Sequence, residues 1–361
     1  MKLNRFKVAV GAAVALVGMG AGVANAATSS PAPASAWRPG LAGVAGTTPA
    51  VPGVRAAGTT TEFAFVVNFR TGHQMYVRVN SGAWNKKSGP SLAKDEMVVE
   101  AKAITATHLV VVTQLRSGNL PSRVLDYDKG KWTVIGKFGA PIGTATVLSG
   151  SDIWVFGSAD FAHIKSLGVW HYNGKSWKRV GTSAADGSGV TANSAWAIKG
   201  TVVEHFADGK WTGTNLASLI PHALIGMKSL IGVYANPGSP VYAIGSGNNE
   251  DTGGPLVVLR FNGHRWTKVA SFSHGNMLAT AVSSDGKGGL LIGGSAGADG
   301  TAELLHYAKG SGKLIAESVP GMTNVRDSLF FTAANVPGTT VDIIGGSAGQ
   351  VAEKATLDTT N

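Results

Sequence analysis

The chain contains no cysteine among its 361 residues. Disulfide bonds, cysteine-ligated metals and a lipid-anchored N-terminal cysteine are therefore excluded. Charged residues are also scarce, at 14%, whereas hydrophobic residues make up 44% and 50 residues are Gly. A chain this apolar is not disordered, and one this rich in Gly is not predominantly helical. Many short strands joined by Gly turns fit the composition best.

The first 26 residues have the composition of a secretory signal peptide. Lys2, Arg5 and Lys7 form a positively charged start. An apolar stretch that includes Gly extends from Val8 to Val23, and Ala24-Asn25-Ala26 has the small-residue pattern of a cleavage site. A membrane anchor is the alternative, but the stretch is short for a span and the cleavage site follows directly. We therefore predict cleavage after Ala26 and a secreted, extracellular protein without membrane attachment. Export without cysteine predicts a bacterial source.

Residues 27–57 are rich in Pro, Ala and Gly, which is typical of a semi-extended linker. The remaining residues, 58–361, contain a repeat. Its clearest element is Arg, Asp or His, then an aromatic residue, a short Gly turn and a Trp five residues after the aromatic. The copies are Arg78–Trp84, Asp126–Trp132, His171–Trp177, His205–Trp211 and Arg260–Trp266. A sixth copy, at His306-Tyr307, has lost its Trp. Asn-Gly and Asp-Gly at these turns predict antiparallel hairpins.

A short apolar strand precedes each hairpin, and its centres recur at a step of about 45 residues. Before most of these strands lies a stretch of small residues, such as Thr144–Val147, which suits the crowded centre of a ring. Small strand, apolar strand and hairpin make four antiparallel strands, which is a β-propeller blade. Seven apolar strands favour seven blades, but only six hairpins occur, so six blades are the alternative. A strand from about residues 40–58 would close the ring.

The repeat unit resembles a Kelch-type repeat, in which a strand ends in Gly-Gly before the aromatic and the Trp. Gly293-Gly294 and Gly345-Gly346 match the pair fully, Gly157-Ser158 and Gly245-Ser246 match half of it, and the first, second and fourth units depart from it. The hairpin sequence His171–Trp177 is similar to repeats in secreted actinobacterial proteins that are described as galactose-oxidase-like propellers. The resemblance covers about residues 59–361 and implies the fold, not an activity, because propellers support many functions.

No catalytic or metal site is predicted. The resemblance to galactose oxidase does not extend to its copper chemistry, which needs a Cys–Tyr crosslink. His171, His205 and His306 fall in different units, so they are spread around the ring and do not converge on one zinc ion. The acidic residues form no pair at a suggestive position for hydrolysis. We therefore expect no cofactor and no metal, and we interpret the hairpin Trp residues as structural.

The net charge of +10 falls to +7 when the three basic residues of the signal peptide are removed. A basic secreted protein can bind anionic wall polymers or nucleic acid. However, many of the basic residues lie in or beside the outer hairpins, where Lys prevents edge-to-edge aggregation of sheets. We therefore predict no specific nucleic-acid partner and a monomeric protein.

The sequence favours a non-enzymatic module that binds an extracellular glycan or protein through one face of the ring. The connections between the second and third strands vary most in length, as binding loops do. Their candidate ligand contacts are Arg70, Arg116, Asp160, His163 and Asp251. One alternative is an extracellular polysaccharide hydrolase or lyase with its site at the channel mouth. The other is a structural protein held at the cell wall by charge.

Overall fold

The computed structural model of the chain is an all-β propeller. It describes residues 38–39, 48–56, 58–68, 72–80, 82–93, 96–115, 122–157, 167–182, 184, 186–221, 227–248, 254–296, 301–317, 328–335, 342–348 and 355–359. Within these residues no helix has the length and apolar character that crossing a membrane requires. The strands form six antiparallel sheets, five of four strands and one of seven. The predicted four-stranded antiparallel blade is confirmed.

The strands are numbered along the chain. The short β1 (Arg38–Pro39) is followed by a sheet of β2 (Thr48–Arg55), β3 (Thr61–Asn68), β4 (Gly72–Val79) and β5 (Asn85–Lys87). The next sheet contains β6 (Glu96–Ala103), β7 (His108–Leu115), β8 (Ser122–Asp128) and β9 (Lys131–Phe138). Then come β10 (Thr144–Ser149), β11 (Asp152–Gly157), β12 (Gly168–Tyr172) and β13 (Trp177–Gly181). The fourth sheet has β14 (Asp186–Thr191), β15 (Ser194–Lys199), β16 (Val202–Ala207) and β17 (Lys210–Asn215).

The seven-stranded sheet and the last sheet complete the molecule. The former contains β18 (Met227–Tyr234), β19 (Val241–Asn248), β20 (Gly254–Phe261), β21 (Trp266–Ser284), β22 (Leu290–Ala296), β23 (Thr301–Tyr307) and β24 (Ile315–Glu317). The latter contains β25 (Ser328–Asn335), β26 (Asp342–Ala348) and β27 (Ala355–Thr359), with β1 at its edge.

Two repeat units share the seven-stranded sheet. Its central strand, β21, is 19 residues long: the part up to Phe272 pairs mainly with β20, and the part from Met277 pairs with β22. β21 is therefore the outermost strand of one unit and the innermost strand of the next. Counted as hydrogen-bonded sheets in the described residues, the propeller has six blades, which is the alternative to the seven blades favoured by the sequence. The favoured number, seven, is the number of repeat units. Units 1 to 4 are the sheets β2–β5, β6–β9, β10–β13 and β14–β17. Unit 5 runs from β18 to the first part of β21, unit 6 from the last part of β21 to β24, and unit 7 contains β25–β27 with β1.

The innermost strands form a closed ring. β2 contacts β6, and each innermost strand then contacts the next one along the chain up to β25 of unit 7, which contacts β2. Two strands from the Pro-rich segment 27–57 take part in the sheets: β2 pairs with β3 as the innermost strand of unit 1, and β1 pairs with β27 at the outer edge of unit 7. Each unit therefore has its apolar strand second from the centre and its hairpin outside.

The hairpin turns are built from the residues that the sequence places there. Asp208 and Gly209 both have positive φ, at 53° and 76°, which is the requirement of a type I′ turn. In unit 3 the Oδ1 atom of Asn173 accepts hydrogen bonds from the amides of Lys175 and Ser176. Asn262 of unit 5 makes the same pair of bonds. The side chain of Asn thus closes the turn in both units.

The hairpin Trp residues pack between consecutive units, which confirms their structural role. The Nε1 of Trp177 in unit 3 donates to the carbonyl of Ile135 in unit 2 at 2.7 Å, and Trp211 in unit 4 donates to Val180 of unit 3 at 2.8 Å. A Cβ added at Gly136 would lie 2.9 Å from the Trp177 Nε1 atom. Residue 136, next to the acceptor Ile135, is therefore a glycine because the indole of Trp177 occupies the space that a side chain would need.

Candidate binding face

Hydroxyl groups on the innermost strands connect unit 3 to unit 4. Thr144 Oγ1 accepts a hydrogen bond from the Gly187 amide at 3.1 Å, and Thr146 Oγ1 accepts one from the Gly189 amide at 3.0 Å. The step of two residues is the same on both strands, so these strands run in the same direction. The small polar residues predicted for the ring centre therefore join neighbouring blades through backbone amides.

The same arrangement recurs between units 4 and 5. Asp186 Oδ2 accepts a hydrogen bond from the Val233 amide at 2.9 Å, and Ser188 Oγ accepts one from the Ala235 amide at 3.2 Å. Burial raises the pKa of Asp186, although its hydrogen bonds act in the opposite direction. Because innermost strands share one direction and each unit is antiparallel, all connections between second and third strands lie on one face.

We call this side the loop face and the opposite side the turn face. The strand ends on the loop face flank residues 69–71, 116–121, 158–166, 249–253 and 297–300, which separate the second and third strands of their units in the sequence. The turn face carries the hairpin turns. The five predicted contact residues, Arg70, Arg116, Asp160, His163 and Asp251, all belong to loop-face connections. They lie outside the described residues, so their role in binding stays a prediction.

A buried ion pair lies at the root of the unit 2 connection. Glu96, whose side chain is 2% exposed, begins β6, while Thr113 and Arg123 lie near the ends of β7 and β8 that face the loop side. Arg123 Nε donates to Glu96 Oε1 at 2.7 Å, and Arg123 Nη2 donates to Glu96 Oε2. Thr113 Oγ1 donates to Glu96 Oε1 at 2.5 Å. This bidentate geometry is the strongest form of an Arg–carboxylate pair.

The cluster joins two chain segments of the loop face. Arg123 Nη2 also donates to the Ser91 carbonyl at 2.8 Å, and Glu96 Oε2 accepts from the Ala93 amide at 3.0 Å. Burial alone would raise the pKa of Glu96, but the bonds from Arg123, Thr113 and Ala93, with the charge of Arg123, hold it below its usual value. The ionised carboxylate therefore fixes the connection between units 1 and 2 to both strands that flank residues 116–121.

Unit 4 has the shortest connection between its second and third strands. There Lys199 and Val202 are separated by a two-residue turn, with Gly200 at a φ of 59°. The Gly200 carbonyl accepts a hydrogen bond from the Leu230 amide at 2.8 Å, which holds the turn against unit 5. In the sequence this turn is shorter than the connections of units 3 and 5, which are residues 158–166 and 249–253.

The histidines of the repeat each bond within their own unit. His171 Nε2 lies 2.8 Å from Asp152 Oδ1, His205 Nε2 lies 3.2 Å from Ser194 Oγ, and His306 Nε2 lies 3.0 Å from Asp285 Oδ2. Their imidazoles also contact Trp rings in units 3 and 4. Among the described residues no group of three or more His, Cys, Asp or Glu could hold a metal ion. The repeated position before the aromatic therefore serves packing within each unit.

Unit 6, which lacks the hairpin Trp, has a distinct polar arrangement. His306 Nδ1 lies 2.8 Å from Glu317 Oε1 on β24, while Nε2 meets Asp285 at 3.0 Å. The hydrogen bonds from Asp285 and Glu317 and their charges raise the pKa of His306 to about 9, although burial opposes this. The imidazolium therefore bridges two carboxylates and ties the three-residue strand β24 to its sheet.

Sequence reasoning missed Glu96, Arg123, Ser246 and Glu303 of the loop-face side. Glu96 and Arg123 are 27 residues apart and meet only because β6, β7 and β8 pair in a specific register. The one available signal was the position of Arg123, the second residue after a connection of variable length. Burial raises the pKa of Glu303 to about 7, a property that no sequence pattern displays.

No family model and no curated protein matches the chain. Solved structures with the same fold do match. A structure of YCF48 bound to D1 peptide has a TM-score of 0.61 at 12% identity, with 92% of this chain and 97% of that chain covered. YCF48 from Cyanidioschyzon merolae gives 0.59 at 11% identity, covering 91% and 99%. The extracellular domain of the putative one component system BT4673 from B. thetaiotaomicron gives 0.56 at 10% identity, covering 90% and 40%.

These similarities establish the propeller fold alone, because the identities are low. They extend over nearly the whole of both YCF48 chains, so the ring as a unit is what the proteins share. None of the three is described as a Kelch protein. The Kelch-type resemblance of the repeat therefore stays a prediction, while the β-propeller is confirmed.

Proposed function

We propose that the mature chain is a secreted, non-enzymatic module that binds an extracellular protein through a peptide segment at its loop face. The observation that supports this is the difference between the two faces. Hairpin turns closed by Asn side chains or type I′ geometry cover the turn face. The strand ends of the loop face are joined by connections of varied length, and in unit 2 the Glu96–Arg123 pair holds the strand that follows the connection. Variable loops on a rigid scaffold are typical of recognition sites.

A peptide is favoured over a glycan as the partner. A structure of YCF48, which shares the fold, is described as bound to D1 peptide, and the BT4673 domain is described as extracellular.

The test is a selection with the mature protein, residues 27–361, on a displayed random-peptide library and in parallel on a glycan array. We expect peptides to be selected. Arg116→Ala and His163→Ala on the loop face should weaken binding at least about 10-fold, equal to about 1.4 kcal/mol. Lys129→Ala and Lys210→Ala in exposed turn-face hairpins are the matched controls and should change it less than about 2-fold, a difference of only about 0.4 kcal/mol. Glycan hits without peptide hits, or loss of binding in the turn-face variants alone, would contradict the proposal.

A further inference from the structure

The outermost strands of units 1 to 3 carry exposed basic side chains and no acidic ones. Each of β5, β9 and β13 contains two Lys or Arg residues, and all six side chains are exposed. β17 of unit 4 has a single Lys, at its first residue, so the row with two basic residues per strand ends at unit 3. We call the six residues the basic arc: Lys86, Lys87, Lys131, Lys137, Lys178 and Arg179.

The contact between units 1 and 2 brings two of these strands together. Trp132 Nε1 on β9 donates a hydrogen bond to the carbonyl of Ser88 at 3.4 Å, directly after the end of β5. Lys131 adjoins this Trp in the chain, and Lys87 adjoins this Ser. Basic residues of both units therefore flank one contact.

The same kind of contact recurs between units 2 and 3. Trp177 Nε1 on β13 donates to the carbonyl of Ile135 on β9 at 2.7 Å. Lys178 follows the Trp in the chain, and Lys137 is two residues beyond the acceptor. Sheets that pack face to face lie about 10 Å apart, close to the Debye length of about 8 Å at physiological ionic strength. The positive potentials of neighbouring strands therefore overlap along the outer edge of the ring.

The carboxylates of these units do not neutralise the arc. Four of them pair with Arg or His inside their own units: Glu62 with Arg78, Glu96 with Arg123, Asp126 with His108 and Asp152 with His171. The exposed carboxylate in the described residues of units 1 to 3 is Asp128, in a hairpin turn next to Lys129. Among the described residues none of the five arc lysines forms an ion pair. The arc therefore presents positive charge to the solvent.

Protection of the strand edges does not account for this charge. A charged side chain, especially Lys, discourages pairing of an exposed edge with another sheet, and β17 has one such residue. β5, β9 and β13 each have two, and opposite charges are missing from all three strands. Accumulated charge of one sign attracts a partner of the other sign.

The position of the arc favours a flexible partner. A domain of about 300 residues has a radius of gyration of about 19 Å, and the arc follows the convex outer edge of such a ring. A flat membrane touches a convex edge over only part of its length. Double-stranded DNA has a persistence length of about 50 nm, so it does not follow so tight a curve.

Single-stranded nucleic acid is disfavoured by the aromatic contacts of the arc. Proteins bind it by combining a basic groove with aromatic side chains on which the bases stack. The indole of Trp132 instead lies 4.8 Å from the ring of Tyr127, and that of Trp177 lies 5.1 Å from Tyr172 and 5.0 Å from Phe138. A polymer without bases therefore fits the arc better.

We propose that the basic arc binds a flexible linear phosphate polymer. Five of its six residues are Lys, which binds phosphate as a point charge, whereas bidentate recognition of carboxylates favours Arg. Lysines on three consecutive strands contact successive phosphates of one chain and release their counterions. This surface on the outer edge is separate from the loop face, and the inference does not depend on the proposed peptide partner.

The test measures binding of labelled long-chain inorganic polyphosphate to the mature protein, residues 27–361. The variant Lys87→Gln/Lys137→Gln/Lys178→Gln removes one charge from each arc strand and should weaken binding at least about 10-fold. The matched control, Lys199→Gln/Lys287→Gln/Lys313→Gln, removes three exposed charges outside the arc and should weaken it less than about 3-fold. Both variants have the same net charge, so their difference reports position. Both should melt at the wild-type temperature, because all six side chains are exposed.

The salt dependence of binding provides a second readout. The slope of the logarithm of the affinity against the logarithm of the salt concentration changes by about 0.7 for each charge neutralised on a single-stranded polyanion. The arc variant should therefore have a slope smaller by about 2 than the wild type, and the control variant should keep the wild-type slope.

Competing polymers decide the class of partner. Unlabelled polyphosphate should displace the labelled chain at lower concentration than oligo(dT), double-stranded DNA, polygalacturonate or vesicles of phosphatidylglycerol, each compared at equal charge. Tighter binding of any of these four, an equal loss of affinity in the arc and control variants, or no binding of polyphosphate at low salt would overturn the proposal.

Discussion

Replacing Trp177 by Ala removes the contact through which unit 3 packs on unit 2. The indole lies 5.0 Å from the Phe138 ring at 89° and 5.1 Å from Tyr172 at 30°, and its Nε1 donates to the Ile135 carbonyl at 2.7 Å. Truncation of a buried Trp destabilises by about 3–5 kcal/mol, and Trp177 belongs at the lower end because it is partly exposed. The lost hydrogen bond adds about 1 kcal/mol.

The expected loss of about 4 kcal/mol is measurable as a shift in melting temperature. A propeller of roughly 300 residues unfolds with an entropy of about 0.6 kcal/mol/K, so the shift is about 6 °C downward. Differential scanning calorimetry of the mature protein measures it. Trp177→Phe keeps the ring packing and loses only the hydrogen bond, so about 2 °C is expected, while Lys175→Ala in the exposed turn should shift it by less than about 1 °C. An unchanged melting temperature of Trp177→Ala with loss of binding would refute the reasoning and establish the Trp as a binding platform.

Three further perturbations test the packing and the ring. Because the pKa of His306 is raised to about 9, its bridge to the two carboxylates contributes at most about 3 kcal/mol to the free energy of unfolding. This contribution is fully present below pH 6.5 and is lost as the pH rises through about 9. The urea midpoint of the wild type should therefore fall over that range, whereas that of His306→Gln should change less. Gly189→Ala places a Cβ 2.3 Å from a tryptophan ring of the preceding unit and should lower the melting temperature by several degrees, whereas Gly139→Ala meets nothing within 4 Å and should leave calorimetry unchanged. Deleting residues 40–58 removes β2 and should abolish cooperative melting, while deleting residues 27–36 should not.

The sequence alone predicted the blade and the role of its Trp residues, because both follow from a repeated local pattern. The number of sheets did not follow. In unit 5 the outer strand that begins at Trp266 continues without a turn into the innermost strand of unit 6, up to Ser284. A pattern of apolar and small residues marks two strands there, but hydrogen-bond continuity between them depends on how the two units are oriented in the folded ring.

The variable length of the connections pointed to Arg70, Arg116, Asp160, His163 and Asp251, whose role in binding stays a prediction. Glu96 and Glu303 were missed because their properties arise in the folded chain: Glu96 meets Arg123 across three strands, and the pKa of Glu303 is raised by burial. Such effects depend on which strand faces which, and a sequence repeat leaves that relation open.

The most direct test of the binding face is hydrogen–deuterium exchange of the mature protein with and without a saturating selected peptide. We predict that the peptide slows amide exchange in the loop-face connections, chiefly residues 116–121, 158–166, 249–253 and 297–300, and leaves the hairpin turns unchanged. Protection confined to turn-face residues 129–130, 173–176 and 208–209, with exchange in the loop-face connections unaltered, would contradict the account.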